Sequence, residues 1–207
     1  MERVFVLLAF ILATWSSNGQ NLYYEYIRGD HKIGSLEATR TVEDSLETFT
    51  LRNLVEFRVI FSFTVEYALT ETFKNGALIS GEGFNTMNGV SQRETHIRLK
   101  EEGYHLKIDG VEAHNEKKSI VESMSRIYYE ELYDGKEVYS QYFGLYLTAE
   151  QTGDHKYVIE SADGENVYKY EYGYCTEVKV VRDFATFYIR MLPESRETIE
   201  KFAKGLD

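Results

Sequence analysis

From Val55 to Leu69 every odd position is apolar or aromatic: Val55, Phe57, Val59, Phe61, Phe63, Val65, Tyr67 and Leu69. The even positions between them are Glu56, Arg58, Ile60, Ser62, Thr64, Glu66 and Ala68, which are mostly polar or small. A strand turns successive side chains to opposite faces, so the pattern places the odd set on one apolar face. Taken as one strand, this run of Val55 to Leu69 would extend roughly 50 Å, far beyond the usual length of about five or six residues. Strands that long coil, bend at bulges or wrap around a core. The run therefore predicts an all-β, mainly antiparallel fold: an up-and-down, strongly curved sheet or partly open β-barrel with a concave apolar face.

The rest of the chain is punctuated accordingly. Turn signals recur at Gly29-Asp30, Asp44-Ser45, Asn75-Gly76, Asn88-Gly89, Asp109-Gly110, Asp134-Gly135, Gly153-Asp154 and Asp163-Gly164. Asn-Gly and Asp-Gly tolerate the positive φ angles of tight hairpins. The intervening segments predict strands at 22–28, 32–43, 47–52, 55–71, 77–87, 90–99, 104–108 and 111–114. A second set follows at 127–132, 137–150, 155–160, 167–173, 175–182 and 186–191. Connections this short join antiparallel neighbours. A single Pro in the chain suits long strands.

Two segments break the meander. Asn115 to Arg126 carries Ile120, Val121 and Met124 at helical spacing among Lys and Ser residues, and predicts a crossing loop or short helix. At the C-terminus, Pro193 suits a first helical position and Glu194 and Glu197 the positive end of the helix dipole. Ile199, Phe202, Ala203 and Leu206 share one face, and Gly205 is a stop. This predicts a helix over 193–205 docked on the sheet.

The N-terminus has the form of an export signal. Val4 to Ala13 is an apolar run too short to span a bilayer, and small residues follow at Ser17 and Gly19. Cleavage after Gly19 is expected, making residues 1–19 a signal peptide and 20–207 a single domain. The mature chain is then periplasmic or secreted, with no transmembrane span. Removing 19 of the 207 residues leaves 188, enough for one hydrophobic core without staples. The single Cys, Cys175, falls in a strand-like run and is expected to be buried.

A net charge of −11 disfavours nucleic acid, whose phosphates require clustered Lys and Arg. The five His residues are scattered, and no paired-Cys or His-Glu-x-x-His motif implies a metal or cofactor. No Gly-x-Ser-x-Gly or other nucleophile motif points to an enzyme. Aromatic residues supply the functional signal. Tyr168, Tyr170, Tyr172 and Tyr174 recur at same-face spacing, as do Tyr142 and Tyr146, with Tyr139 and Phe143 on the opposite face. Tyr rings can line a half-wet groove, or can simply pair across strands.

The motifs Ile33-Gly34-x-Leu36, Phe73-x-Asn75-Gly76-x-Leu78, Asn88-Gly89, Gly103-Tyr104 and Ile108-Asp109-Gly110 are followed by Ile127-Tyr128-Tyr129-x-Glu131. Further on come Tyr139-Ser140-x-x-Phe143-Gly144, Asp163-Gly164 and Tyr168-x-Tyr170-x-x-Gly173. In this order the chain resembles an uncharacterised exported β-rich family, a domain of unknown function, of Bacteroidetes-type bacteria. In the proteins it resembles a Pro follows the Glu of the Tyr-rich segment, where Leu132 stands here. The resemblance implies a curved sheet in the cell envelope and carries no catalytic residues.

The expected function is a non-enzymatic envelope binding module that holds an apolar small molecule or lipid in the concave sheet. Phe57, Phe61, Phe63 and Tyr67 would line the site, with Tyr128 and Tyr142 at its mouth. Alternatively, these residues pack on the C-terminal helix as ordinary core. A different expectation is a structural or interaction protein that binds an envelope protein or glycan through Tyr-rich faces or sheet edges.

Overall fold

The computed structural model describes residues 18–58, 62–116, 118–183 and 185–205. Fourteen strands form one antiparallel sheet. They are Asn18–Arg28 (β1), His31–Glu43 (β2), Leu46–Arg58 (β3), Ser62–Lys74 (β4), Ala77–Met87 (β5), Val90–Lys100 (β6), Gly103–Ile108 (β7) and Val111–Glu116 (β8). Then follow Glu137–Ser140 (β9), Leu145–Gly153 (β10), Lys156–Ser161 (β11), Gly164–Glu171 (β12), Tyr174–Arg182 (β13) and Ala185–Met191 (β14). The spatial order is β8 back to β1, then β14 back to β9, so β1 pairs with β14 at the centre and the ring is not closed by a β8–β9 ladder.

The expected single strand over 55–71 is instead a hairpin. β3 ends at Arg58 and β4 starts at Ser62, with Phe57 opposite Phe63, Val55 opposite Val65 and Asn53 opposite Tyr67. Each pair joins two odd residues. The odd positions therefore keep facing inward on both strands, and the alternation is the same for one strand or two. No Gly, Asn, Asp or Pro lies between Arg58 and Ser62 to announce the reversal. The apolar face is where the pattern put it, but it is folded back on itself.

Most other hairpins fall on the sequence signals. Asn75, Asn88 and Asp109 adopt φ of 51°, 51° and 53°, each followed by a positive-φ Gly, the conformation two-residue hairpin turns need. Two predicted strands are corrected. Residues 137–150 form two strands, β9 and β10, separated by a turn that holds Gln141, Tyr142, Phe143 and Gly144. Gly144 has φ of 71°, and a Cβ there would lie 2.7 Å from Leu106. Residues 127–132 are not a strand but a short 3-10 turn, Arg126–Tyr128, and the loop after it. Ile127, Tyr128, Tyr129 and Leu132 are all buried while Glu130 and Glu131 are only half-buried, so the segment packs into the bowl rather than forming part of its wall.

Because the strands run up and down, alternate turns lie at opposite rims. The turns after β1, β3, β5, β7, β9, β11 and β13 share one rim, and those after β2, β4, β6, β10 and β12 share the other. The crossing segment, 118–136, leaves β8 and enters β9 at the second rim, so it fills that half of the concave face. There Ile120, Ile127, Tyr129 and Leu132 join Phe49, Phe73, Leu78 and Tyr104 in the core. The Leu78 amide donates to the Ile120 carbonyl at 2.8 Å. Residues 122–124 also cover the edge of β9, through a parallel bridge between Ser123 and Tyr139.

The C-terminal helix, Pro193–Lys204 (α1), starts with its Pro and ends at Gly205 in the left-handed conformation. It follows β14 at the plugged rim. The Ser195 hydroxyl accepts the Tyr23 amide at 2.8 Å, and Ile199 is fully buried. Phe202 is half-buried and Ala203 exposed, so only the first two turns dock, not the whole predicted face. Leu206 lies outside the described residues. Cys175 is buried and free, as its strand context implied. No helix among the described residues is long and apolar enough to cross a membrane.

Candidate ligand-binding cavity

The other half of the concave face has no plug. A cavity of about 410 Å³ lies there, within the usual size range of small-molecule sites. Its walls come from both arms of the sheet: Leu51, Val55, Phe57 and Val65 from β3 and β4, and Ile159, Val180, Phe187 and Ile189 from β11, β13 and β14. Tyr142 and Phe143, from the β9–β10 turn, line it on a third side. Met124 and Tyr128, from the crossing segment, form its floor. No α1 residue lines it, because the helix leaves from the opposite rim.

Of the expected site residues, Phe57, Tyr67, Tyr128 and Tyr142 line this one cavity. Tyr128 is at the floor rather than the mouth, since the crossing segment carries it into the bowl. Phe63 is not a lining residue; it stacks on Phe57 across the hairpin, with ring centroids 5.4 Å apart and planes at 22°. Phe61 lies outside the described residues. The Tyr168–Tyr174 ladder is broken at Tyr172, which has φ of 55° in the β12–β13 turn and points out. Tyr168 lines the cavity, Tyr170 is buried with its hydroxyl on the Ile127 carbonyl at 3.0 Å, and Tyr174 faces Tyr129. Tyr142 and Phe143 belong to a turn, not to opposite strand faces.

Polar groups are spaced around the apolar wall. The Asn53 amide donates to the Tyr26 hydroxyl at 2.8 Å, and the Asn166 amide to the Tyr168 hydroxyl at 3.2 Å. Asn53 Oδ1 and Asn85 Oδ1 are buried and have no partner among the described residues. Tyr67 is buried deeply enough that loss of solvation pushes its phenol well above the ordinary range, with the Glu71 charge adding to the shift. Tyr26 and Tyr168 move the same way by burial, and the nearby Arg182 guanidinium opposes part of the shift. All three phenols therefore stay neutral and can donate hydrogen bonds.

The plug is held against the sheet by a buried carboxyl. The Ser123 and Ser125 hydroxyls donate to Glu71 Oε2 at 2.6 and 2.5 Å. Burial raises the Glu71 pKa above its ordinary value, and the two hydroxyls and Arg126 offset only part of that. Arg126 stacks over the Phe73 and Phe49 rings, 5.0 and 5.6 Å from their centroids, and pairs with Glu130 at 2.5 Å. These contacts fix Tyr128 at the cavity floor.

Asn53, Asn85, Arg28 and Arg182 were not singled out by sequence reasoning. A signal existed for two of them. Asn53 continues the odd, inward set of Leu51 and Val55, and Arg182 the inward set of Val178 and Val180. A polar residue at an inward position is the informative exception. Among the described residues no three His, Cys, Asp or Glu side chains converge to hold a metal ion.

A family model described as "Domain of unknown function (DUF6134)" matches residues 24–192. The chain belongs to the DUF6134 family. The DUF6134 match runs from Tyr24 in β1 to Leu192 at the start of α1, so it takes in every strand, the crossing segment and the whole cavity. No curated protein and no solved structure matches the chain.

Proposed function

We propose that the protein is an exported, non-enzymatic binding module that holds one apolar or amphipathic molecule, such as a lipid, in the open half of its concave sheet. The supporting observation is the uneven filling of that sheet. One half is packed by residues 118–136, and the equivalent volume at the other rim is an apolar cavity whose polar lining includes neutral Tyr and Asn groups. An apolar enclosure with a few fixed polar groups is the usual form of a small-molecule site. Export, with residues 1–19 removed and the mature chain in the envelope of a Bacteroidetes-type bacterium, is part of the same reading. Cleavage after Gly19 would trim β1 by two residues and leave Gln20 as its first paired position. The test is organic extraction of protein purified from envelope without detergent, with mass spectrometry of the extract. One co-purifying apolar species near equimolar ratio supports the reading.

A second reading is a partner surface on the outer face. Tyr23, Leu54 and Phe84 are each about two-fifths exposed there and border one groove across β1–β5. A single envelope protein captured in stoichiometric amount, and lost in Leu54→Asp, would favour it.

A further inference from the structure

Two arginines line the cavity at its open rim, Arg28 at the end of β1 and Arg182 at the end of β13. Their placement follows from the register. Ile27 pairs with Tyr188 and Arg182 with Ala185, so both arginines are on the inward face, with only β14 between their strands. Two inter-strand steps and a two-residue offset along the strands separate their backbones by roughly 12 Å, a span that two long side chains can bridge around one small group.

Neither arginine is neutralised. Among the described residues no carboxylate comes within 4.0 Å of either. Arg182 donates one nitrogen, Nη1, to the carbonyls of Val181 and Glu165 and to Asn166 Oδ1, at 2.8, 3.3 and 3.1 Å. These bonds orient the guanidinium without cancelling its charge. Arg28 makes no hydrogen bond or ion pair among the described residues. Both are half-buried beside an apolar wall, where water screens charge poorly. A chain with 34 acidic against 23 basic side chains has ample means to pair them, so two unpaired arginines at one cavity mouth need an explanation. Asp163 is the only carboxylate among the described lining residues, and it is exposed.

We propose that the cavity takes a single-chain anionic amphiphile, its hydrocarbon chain along the wall of Leu51, Val65, Ile159 and Val180 and its carboxylate or phosphate head between Arg28 and Arg182. This rests on the binding-module reading and adds the chemistry of the ligand. The guanidinium fork matches either head group, and the head remains at the rim, where it keeps part of its hydration. Asp163 repels the head from one side and so directs it toward the arginines.

The test is calorimetric titration of the full chain with decanoate, decyl phosphate and 1-decanol. Decanoate, decyl phosphate or both should bind at least about tenfold more tightly than decanol, the scale of one charge-assisted hydrogen bond. The two anions separate a carboxylate from a phosphate head. Arg28→Gln removes no hydrogen bond or ion pair among the described residues and should weaken anion binding severalfold, with a clearly smaller effect on decanol. The double variant R28Q/R182Q should erase the preference, and Asp163→Asn should tighten anion binding. Equal affinities for all three probes, or an anion preference that survives both arginine substitutions in a folded protein, would overturn the head-group assignment alone. No binding of any decyl probe would overturn the binding-module reading with it.

Discussion

The Gln141 amide nitrogen donates to both the carbonyl and the hydroxyl of Thr95, at 3.2 and 2.9 Å, and so joins the two arms of the sheet across its concave face. Gln141 belongs to the turn after β9, and Thr95 to β6 on the far arm. No β8–β9 ladder closes the ring, so this contact, the seat of Gly144 on Leu106 and the Arg93 guanidinium, which donates to the Tyr142 carbonyl at 2.9 Å, join the arms there. A Cβ on Gly81 would lie 2.2 Å from Gln141 Oε1, so the bare backbone of β5 leaves the space the side chain uses. Gly81→Ala should destabilise by about 1–3 kcal/mol through overpacking. In a double-mutant cycle with Gln141→Ala the two costs should be non-additive by about 0.5–3 kcal/mol, measured by urea unfolding. Additive costs would place Gln141 elsewhere.

Glu71 should make stability depend on pH in a definite direction. Its folded-state pKa is raised above the ordinary 4.5, chiefly by burial. The folded state therefore binds the proton more tightly than the unfolded chain. The contribution is full below that ordinary value and is lost as pH rises through the folded-state pKa. Glu71→Gln keeps an acceptor for Ser123 and Ser125 and cannot ionise. The stability of wild type minus that of Glu71→Gln should fall as pH rises from about 4.5 to 8. A difference that is flat or rises over that window contradicts the assignment.

How far the fold was legible depended on which signal each segment carried. The turns at Asn75, Asn88 and Asp109 were visible because their φ angles demand the residues present. The reversal between Arg58 and Ser62 was invisible, because a register that pairs Phe57 with Phe63 preserves odd–even parity. Ile127–Leu132 reads as a strand but is part of the plug, because its aromatic and aliphatic residues pack into the bowl from a 3-10 turn, which local composition does not reveal. The aromatic part of the cavity was legible from Phe57 and Tyr67. Of its arginines only Arg182 carries a signal, its inward parity with Val178 and Val180; an Arg at a strand end is ordinarily solvated, and only the topology brings Arg28 and Arg182 to one rim.

The hairpin itself is open to test. Phe57 and Phe63 should couple by about 0.5–1.5 kcal/mol in a double-mutant cycle of Ala substitutions, the usual range for a stacked aromatic pair. In one extended strand the two residues would be roughly 20 Å apart and uncoupled.

Ile199 should anchor α1. It is fully buried while the last turns of the helix are largely exposed. Ile199→Ala should cost about 2–5 kcal/mol. Phe202→Ala, on the half-buried turn, should cost clearly less, as read from thermal unfolding.

Cys175 should be inert in the native protein. Its thiol is fully buried, and loss of solvation holds its pKa well above the ordinary range, so thiolate is scarce. A disulfide-exchange reagent should label it only after denaturation. Labelling of the folded protein at the rate of a free thiol would contradict its place in the core.

The unfilled half of the concave sheet is most directly tested by titration with the neutral fluorescent probe N-phenyl-1-naphthylamine. Wild type should bind one molecule saturably with a blue-shifted emission. Val65→Trp, which places an indole in the cavity, should bind at least about tenfold more weakly while still unfolding cooperatively. Absence of saturable binding to wild type, or equal binding by a folded Val65→Trp protein, would contradict the claim that the cavity is a ligand site.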